Sequence, residues 1–317
     1  MYDRPYVSAA DADRALDALL VRRAGGRPDH YPTMYRLRML LISRLWSPER
    51  NAHVWSDSEG HLLECALLLQ GRPDNPRFEL ACITHPRASG TLLADEMLPW
   101  ALARGHEIAE ERATPITLEH EVGDQEAAAI ALLACHGFTS LPVQALYMAR
   151  PLDTPLPEPV PPAGVTVRAL AGRDEVDAYL ALYNEVSTPL SRTHRLALMD
   201  TPDYSPALDL VAVAPDGVLA AFCECSISRR EWRTGERQAG WIDHVGTRPA
   251  MQQRGLGRAI TLAGLQRLQA SGADLTLLAT HSANARAQRL YEHLGFKTVG
   301  KGLWLAKELG VTRTQGA

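Results

Sequence analysis

The chain has 317 residues, of which 46% are hydrophobic, and its formal net charge is -4 at pH 7. This length is enough for two domains of ordinary size. The acidic balance argues against a general nucleic-acid binder, since such proteins usually carry a basic face. No apolar run reaches the roughly 18 residues that a membrane helix needs, and the N-terminus lacks the apolar core of a signal peptide. We therefore expect a cytoplasmic protein that binds neither nucleic acid nor membrane.

The cysteines do not form a metal-binding or disulfide pattern. Cys65, Cys82, Cys135, Cys223 and Cys225 contain no CxxC pair. Cys223 and Cys225 alternate on one face of a predicted strand, so we interpret them as packing residues. No metal site is expected.

The first half of the chain predicts a hairpin, a strand, a helix, a second strand and a second helix. Hydrophobic patterns and turn residues assign these elements to residues 53–70, 77–84, 91–104, 114–120 and 124–136. Six prolines then lie within residues 151–162. Proline cannot donate a backbone hydrogen bond and favours extended chain, so we interpret residues 151–164 as a linker between domains 1–150 and 165–317.

The second half repeats this order after a short strand and a helix, predicted at 165–170 and 172–188. Its hairpin, residues 208–227, turns at Pro215-Asp216-Gly217, where proline and glycine suit the two central positions. The later strands and helices are assigned to residues 238–247, 256–270, 273–280, 284–294 and 296–309. The sequence therefore predicts an α/β fold, a mixed sheet with helices on its faces, that is used twice.

A glycine-rich turn joins the strand 238–247 to the helix 256–270, and it reads Gln252-Gln253-Arg254-Gly255-Leu256-Gly257. A strand end followed at once by a helix start forms a nest of N–H groups at the positive end of the helix dipole, which binds phosphate. The alternative is a tight turn that needs glycine for its dihedral angles alone. A dinucleotide-binding fingerprint fits less well, because Ile260 stands where its third glycine is required.

This turn and the segment 284–296 together resemble two motifs of the GNAT acetyltransferase superfamily. The turn matches Q/R-x-x-G-x-G/A, and the segment, NARAQRLYEHLGF, matches N-x-x-A-x-x-x-Y-x-x-x-G-F. The resemblance covers about residues 165–309. It implies a tandem repeat of the GNAT acyl-CoA acyltransferase fold, with acetyl-CoA as the acyl-donor substrate.

The resemblance also implies where acetyl-CoA binds. In the family the sheet splays between two strands, here 238–247 and 273–280, and the pantetheine arm pairs with the first while the pyrophosphate lies on the turn. Asparagine is also a good helix N-cap, so Asn284 has a structural role open to it as well. The implied cofactor-binding residues are Val245, Gly246, Thr247, Gln252, Gln253, Arg254, Gly255, Leu256, Gly257, Arg258 and Asn284.

Tyr291 is the candidate general acid. It lies on one apolar helix face with Ala287, Leu290 and Leu294, which favours a core residue. The resemblance implies instead that its hydroxyl protonates the departing CoA thiolate. A phenol with a pKa of about 10 is a competent donor to a thiolate whose acid has a pKa of about 8.5.

The general base is more difficult to assign. Many family members have a glutamate where Trp241 stands, so this chain departs from the pattern. By alternation Trp241, Asp243 and Val245 lie on one face of their strand and Ile242, His244 and Gly246 on the other, and we take Asp243 as the first candidate and His244 as the second. His281 and Glu224 are further candidates.

The first half lacks the functional residues of the second. Gly137-Phe138 matches Gly295-Phe296, and counting back from these pairs places Leu133 at the tyrosine position and Glu126 at the asparagine position. In the turn at 86–92, Leu92 replaces the second glycine, and the turn is two residues shorter. We interpret residues 1–150 as a degenerate copy and expect one acetyl-CoA per chain.

These features predict an N-acetyltransferase that acts on a small-molecule primary amine by direct transfer in a ternary complex, with only the second domain catalytic. The alternative is an acyl-CoA-binding sensor that has lost catalysis, which the missing glutamate favours. The layout of a degenerate copy, a proline-rich joint and an active copy resembles the mycothiol synthase family, which acetylates the amine of a cysteinyl sugar conjugate. We expect a monomer or a homodimer.

Overall fold

The computed structural model describes residues 2–5, 48–70, 75–85, 93–201, 204–228 and 237–311. Within these ranges no helix is both long and apolar enough to span a bilayer. The strands are β1 (Tyr2–Pro5), β2 (Ala52–Ser56), β3 (Leu62–Gln70), β4 (Arg77–Thr84), β5 (Ile116–Gly123), β6 (Thr139–Pro151), β7 (Thr166–Ala169), β8 (Asp209–Val213), β9 (Leu219–Ile227), β10 (Ala239–Thr247), β11 (Leu275–His281) and β12 (Lys297–Leu309). The helices are α1 (Pro48–Asn51), α2 (Leu98–Arg112), α3 (Ala127–Cys135), α4 (Val176–Val186), α5 (Arg192–Met199), α6 (Leu256–Ala270) and α7 (Ala285–His293).

The described residues form two compact units that are not contiguous in sequence. Leu146–Val299 belongs to the second unit, and the chain returns to the first unit from Gly300 onward. The first unit therefore ends with the last strand of the chain, and the second begins within β6. The predicted domains 1–150 and 165–317 differ from these units, because they place β6 with the first copy and β12 with the second.

The first unit contains strands in the order β1-β2-β3-β4-β5-β12. β3 and β4 are antiparallel in regular register, whereas β4 and β5 are parallel and pair from Arg77↔Thr117 to Leu80↔His120. β12 runs antiparallel to β5, with its Leu309 opposite Ile116. Leu309 is fully buried in the core of this unit, which explains why the last strand belongs here and not with the copy that precedes it.

The second unit contains strands in the order β6-β11-β10-β9-β8-β7. One core lies on the face covered by α6 and α7 and includes Ile260, Leu265 and Tyr291. Another lies on the face covered by α4 and α5 and includes Tyr179, Leu198 and Phe222. A sheet with helices on both faces is the predicted architecture, and it is confirmed.

Most elements lie within a few residues of their predicted positions, but α2 is longer than predicted and β1, α1, α5 and β6 were not predicted. α2 continues to Arg112, eight residues beyond the predicted end, because Ile108 and Ala109 still face the core. α5 was not predicted, since its eight residues, RTHRLALM, are too few for a clear apolar period. β6 was not predicted either, because Pro142 and Pro151 interrupt its pattern.

The proline-rich segment is packed on the second unit. Leu152 is buried in the same core as Tyr291, and its N–H donates to Asp274 O at 2.9 Å. The Gln269 side chain donates to Leu152 O at 2.6 Å. The predicted linker 151–164 thus begins as part of the second unit, because Leu152 is apolar and the prolines around it need few hydrogen-bond acceptors.

The exchange of terminal strands predicts how fragments of the chain behave. A fragment of residues 165–317 lacks β6, which carries Met148 and leads into Leu152, and each large apolar residue lost from a core costs about 2–5 kcal/mol. A fragment of residues 139–299 keeps β6 and omits β12. We expect the second fragment to unfold cooperatively in urea and the first to show no cooperative transition by circular dichroism. Equal stability of the two fragments would contradict this assignment of strands.

Candidate active site

The parallel pairing of β10 and β11 ends before either strand does. It runs from Ala239↔Leu275 to Ile242↔Leu278, four pairs in all. β10 continues to Thr247 and β11 to His281. Beyond Ile242, the edge of β10 that faces β11 pairs with no strand among the residues that the structure describes. The splay that the resemblance implied lies at this point.

A bulge in β10 coincides with the opening of this gap. The register with β9 shifts between Ile242 and His244, so that Asp243 is the extra residue. After the bulge His244 lies opposite Glu224 and Val245 opposite Cys223. Val245 packs against the core that contains Tyr291, whereas Glu224 contacts Tyr179 on the other face. Adjacent residues of β10 thus reach opposite faces of the sheet beside the gap.

The glycine-rich turn follows β10 and ends at the N-terminus of α6. Gln253 and Gly255 have positive φ values of 62° and 83°, and Gly255 is the N-cap residue without a side-chain cap. The first hydrogen bond of the helix is donated by Ala259 to Gly255 O, at 3.0 Å. The N–H groups of the preceding helical residues have no partner within the helix, so they can bind an anion.

Gln252 connects this turn to two other elements. Its amide donates to Thr247 O at 3.0 Å, and it accepts from the Arg286 guanidinium at 2.5 Å. Arg254 and Arg258 are exposed beside the turn. Three arginines therefore surround the free N–H groups, and the positive charge favours a phosphate ligand. Arg286 was not singled out from the sequence, although it lies two residues after Asn284.

The glycines here have different physical roles. A Cβ on Gly255 would meet no atom within 4 Å, so this glycine is required for its positive φ. A Cβ on Gly257 would lie 3.6 Å from Leu290 Cδ2 and 3.7 Å from Thr247 Oγ1, ordinary contacts. Gly246 is different, because a Cβ there would lie 2.3 Å from the Phe222 ring. Of these three glycines, only Gly257 is required neither by its backbone conformation nor by close contacts within the protein. This fits a ligand that approaches the start of α6.

Tyr291 lies on α7 beneath the gap. It is buried, and its ring contacts the Phe296 ring edge-on at 5.8 Å between centroids. Burial raises the pKa of the hydroxyl well above its usual value, and the nearby Cys223 adds to the shift. The hydroxyl therefore stays protonated at neutral pH. Arg150 fixes the end of this helix by donating from Nε to Leu294 O at 2.6 Å.

Asn284 is the N-cap of α7, and its side chain accepts from the Ala287 N–H at 3.1 Å. The predicted structural role is confirmed. A role in cofactor binding stays a prediction.

The base candidates occupy distinct environments. Both carboxylate oxygens of Asp243 are buried, whereas the His244 side chain is 34% exposed. His281 is exposed at the end of β11. Glu224 is buried and accepts from Tyr179 at 2.6 Å and from Arg195 at 2.5 Å. Arg195, which from the sequence belongs to a segment predicted to line the acceptor site, is buried against Glu224, and this pairing was not predicted, although a glutamate within the apolar strand LAAFCECSI signals a buried cationic partner.

The first unit repeats the last helix of the second unit. α3 and α7 have nine residues each, and in both the phenylalanine N–H after the glycine donates back to the helix at 3.0 Å. The acceptors are Leu133 O for Phe138 and Tyr291 O for Phe296. The predicted correspondence of Leu133 with Tyr291 is confirmed. Gly90 and Leu92, in the corresponding turn, lie outside the described residues.

Comparisons with known proteins agree with this geometry. A model of the acetyltransferase (GNAT) family matches residues 177–296. A mycothiol acetyltransferase of Thermobispora bispora is 35% identical over 234 residues, which cover 70% of this chain and 73% of that protein. The chain belongs to the GNAT family of acetyltransferases. Its activity is therefore N-acetyl transfer, and its acyl donor is acetyl-CoA.

Other GNAT proteins extend the likeness to the whole chain. A mycothiol acetyltransferase of Pseudarthrobacter chlorophenolicus is 29% identical over 287 residues, 88% of this chain and 81% of that protein. A GCN5-related N-acetyltransferase from Sphaerobacter thermophilus superimposes with a TM-score of 0.66 at 22% identity, covering 98% of this chain and 96% of that chain. A tandem GNAT protein from the clavulanic acid biosynthesis pathway gives 0.70 at 15% identity, covering 98% and 99%. The tandem GNAT fold is confirmed.

The turn provides a test of where the pyrophosphate of acetyl-CoA binds. We expect Gly257→Leu to lower the affinity for acetyl-CoA at least 10-fold in calorimetry, because the longer side chain covers the free N–H groups. The melting temperature should not fall, since leucine is a better helix former than glycine. Gln266→Leu, which adds a leucine about 13 Å further along α6, serves as the control and should bind normally. Unchanged affinity in Gly257→Leu would remove the phosphate assignment.

Proposed function

We propose that the second unit alone transfers the acetyl group, directly from acetyl-CoA to the primary amine of a small molecule. One observation carries this proposal. The gap after Ile242, the uncapped start of α6 and the buried Tyr291 belong to the same unit. The equivalent helix of the first unit has Leu133 in place of the tyrosine.

The cofactor is assigned to the gap and the turn. The pantetheine amides would pair with the free edge of β10, the pyrophosphate would accept hydrogen bonds from the start of α6, and arginines would balance its charge. Asn284 would contact the cofactor from the start of α7. The residues of this proposed site are Val245, Gly246, Thr247, Gln252, Gln253, Arg254, Gly255, Leu256, Gly257, Arg258 and Asn284.

The chemistry needs a proton donor for the thiol and a proton acceptor for the amine. The amine nitrogen attacks the acetyl carbonyl, the C–N bond forms, and the C–S bond breaks. Tyr291 would donate its proton to the departing thiolate. Its burial supports this role, because the hydroxyl is protonated and water has little access to it.

The cysteines support direct transfer. A covalent acetyl-enzyme would require an accessible nucleophile at the gap. In the described part of the second unit, Cys223 and Cys225 are both buried, and a Cβ on Gly264 of α6 would lie 2.8 Å from the Cys223 sulfur. The helix therefore covers these thiols.

Relatives support the class of the amine. The two mycothiol acetyltransferases are 35% and 29% identical to this chain over 73% and 81% of their own lengths. We infer a cysteinyl sugar conjugate as acceptor. Trp241, where many family members have a glutamate, is a departure that concerns the base and not the acceptor.

Release of free CoA tests the acceptor and the kinetic order together. We expect a cysteinyl amino-sugar conjugate to accelerate CoA release from acetyl-CoA more than free cysteine, glucosamine or an aminoglycoside. Double-reciprocal plots should intersect, as a ternary complex requires. Parallel lines would contradict direct transfer, and an absence of acceleration by every amine would contradict the proposed function.

Tyr291→Phe tests the acid. Because the ring packing is retained, we expect the melting temperature and the affinity for acetyl-CoA to be unchanged, while kcat falls by roughly 10 to 10³-fold. Calorimetry and CoA release measure the two quantities separately. Undiminished kcat would show that Tyr291 only fills the core.

A further inference from the structure

A cluster of buried charges lies on the α4 and α5 side of the second unit. Arg195 of α5 binds two carboxylates, Glu224 on β9 and Asp209 on β8, and all three side chains are almost inaccessible. The guanidinium also lies over the Tyr179 ring, 4.2 Å from its centroid. Burying three charged groups is costly unless they are paired, so this cluster holds its members in fixed positions.

The Glu224 carboxylate is held in its ionised form. Burial by itself would raise its pKa, but the charge of Arg195 and the hydrogen bonds from His244 and Tyr179 outweigh burial and lower the pKa. Burial raises the pKa of Asp209, and the neighbouring Glu224 charge adds to that shift. Of the two carboxylates, Glu224 is therefore the firmly anionic one.

His244 connects this cluster to the exposed side of the gap. Its Nδ1 lies 3.2 Å from Glu224 Oε2, and its side chain is 34% exposed, whereas that of Glu224 is 5% exposed. The Tyr183 ring of α4 meets the imidazole edge-on, 5.7 Å away between centroids. One ring nitrogen thus faces the buried carboxylate, and part of the ring remains accessible from outside.

Asp243, the neighbouring candidate, has the opposite exposure. Both of its carboxylate oxygens are buried, so an amine could reach them only after the bulge rearranges. His244 follows it directly and faces the sheet surface opposite Val245 and Tyr291. An acid and a base on opposite sides of the same stretch of β10 can act on one acetyl group between them.

We propose that His244 is the general base of this enzyme and that Glu224 is its positioning residue, in place of the glutamate that is missing at Trp241. This inference rests on the proposed function. Glu224 Oε2, 3.2 Å from Nδ1, holds the ring proton on that nitrogen, so that Nε2 is the atom that takes a proton from the acceptor. Nε2 takes one proton from the acceptor ammonium, directly or through one water, and the neutral amine then attacks the acetyl carbonyl as the C–N bond forms. The C–S bond then breaks, the thiolate takes its proton from Tyr291, a second proton from the acceptor nitrogen restores the Tyr291 hydroxyl, and His244 returns its proton to solvent.

The groups that face His244 suit this cycle. Among the described residues they include Glu224 from β9 and Tyr183 from α4, with Arg195 and Asp209 behind Glu224, and Asp243 precedes His244 on its own strand. Two carboxylates and one guanidinium leave the Arg195 cluster with one net negative charge when both acids are ionised. A protonated His244 balances that charge during turnover.

His244→Asn is the direct test, because the asparagine amide can still donate to Glu224 while the basic Nε2 is lost. We expect kcat/KM for the acceptor to fall by about 10² to 10⁴-fold and the acid limb of its pH profile to disappear, with the affinity for acetyl-CoA unchanged. His281→Asn removes an exposed histidine at the end of β11. It should retain both kcat/KM for the acceptor and the acid limb of the pH profile. A limb that persists in His244→Asn, or that disappears in His281→Asn, would overturn the assignment.

The positioning role of Glu224 has a readout that needs no acceptor. Nitrogen-15 spectra of the imidazoles, assigned with His244→Asn, should show the proton of neutral His244 on Nδ1. In Glu224→Gln that proton should be distributed between Nδ1 and Nε2, because the anionic group beside Nδ1 is lost. A proton on Nε2 in the wild-type protein would overturn the proposed pairing.

The outcomes separate this inference from the proposed function. If the wild-type enzyme transfers acetyl to an amine and His244→Asn does so equally well, only the His244 assignment fails. If the wild-type enzyme transfers acetyl to no amine, the proposed function fails and the base with it. Glu224→Gln removes a partner of buried Arg195, so its circular-dichroism spectrum must match that of the wild type. The Nδ1 measurement on the unaltered protein remains decisive if it does not.

Discussion

The geometry of the site depends on the early end of one strand pairing. β10 and β11 share four residue pairs and then separate at Ile242 and Leu278. Backbone groups normally find partners within a sheet, so the edge exposed beyond this point is available to a ligand with amides of its own. The bulge at Asp243 falls at the same position. It places Val245 on the Tyr291 side and His244 on the Glu224 side, which gives the two faces of the gap different chemistry.

Comparison with the first unit shows which features of the site follow from the fold and which depend on individual side chains. β4 and β5 also share four parallel pairs, ending at Leu80 and His120. Yet β3 and β4 pair in regular register, without the shift that marks β10. His120 further differs from its counterpart Leu278, because its Nδ1 lies 2.7 Å from Leu80 O at the point where the strands part. The same fold therefore retains the separation of strands without the bulge, the tyrosine or the asparagine.

Sequence reasoning succeeded where a residue's role is local. The helix start at Leu256 and the cap at Asn284 follow from short-range rules of turns and helices, and the left-handed conformation of Gly255 agrees with the alternative of a turn that needs glycine for its dihedral angles. The succession of most strands and helices along each copy followed from hydrophobic patterns and turn residues. These features are determined by residues close in sequence, so a short sequence motif is enough to predict them.

The features that sequence reasoning missed are non-local. Arg195 and Glu224 are 29 residues apart, and Arg286 meets Gln252 across 34 residues, so no local pattern pairs them. The exchange of β6 and β12 depends on which unit's core buries Leu152 or Leu309, which hydrophobicity alone does not decide. The relative exposure of Asp243 and His244 follows from one register shift, and a single inserted residue in a strand has no reliable sequence signal.

We propose that only one of the two copies binds acetyl-CoA. Equilibrium dialysis with labelled acetyl-CoA, carried to saturation on the full chain, tests it most directly. We expect one molecule bound per chain in the wild-type protein and binding at least 10-fold weaker in Gly257→Leu. Two molecules per chain, or one molecule bound with full affinity by Gly257→Leu, would contradict it.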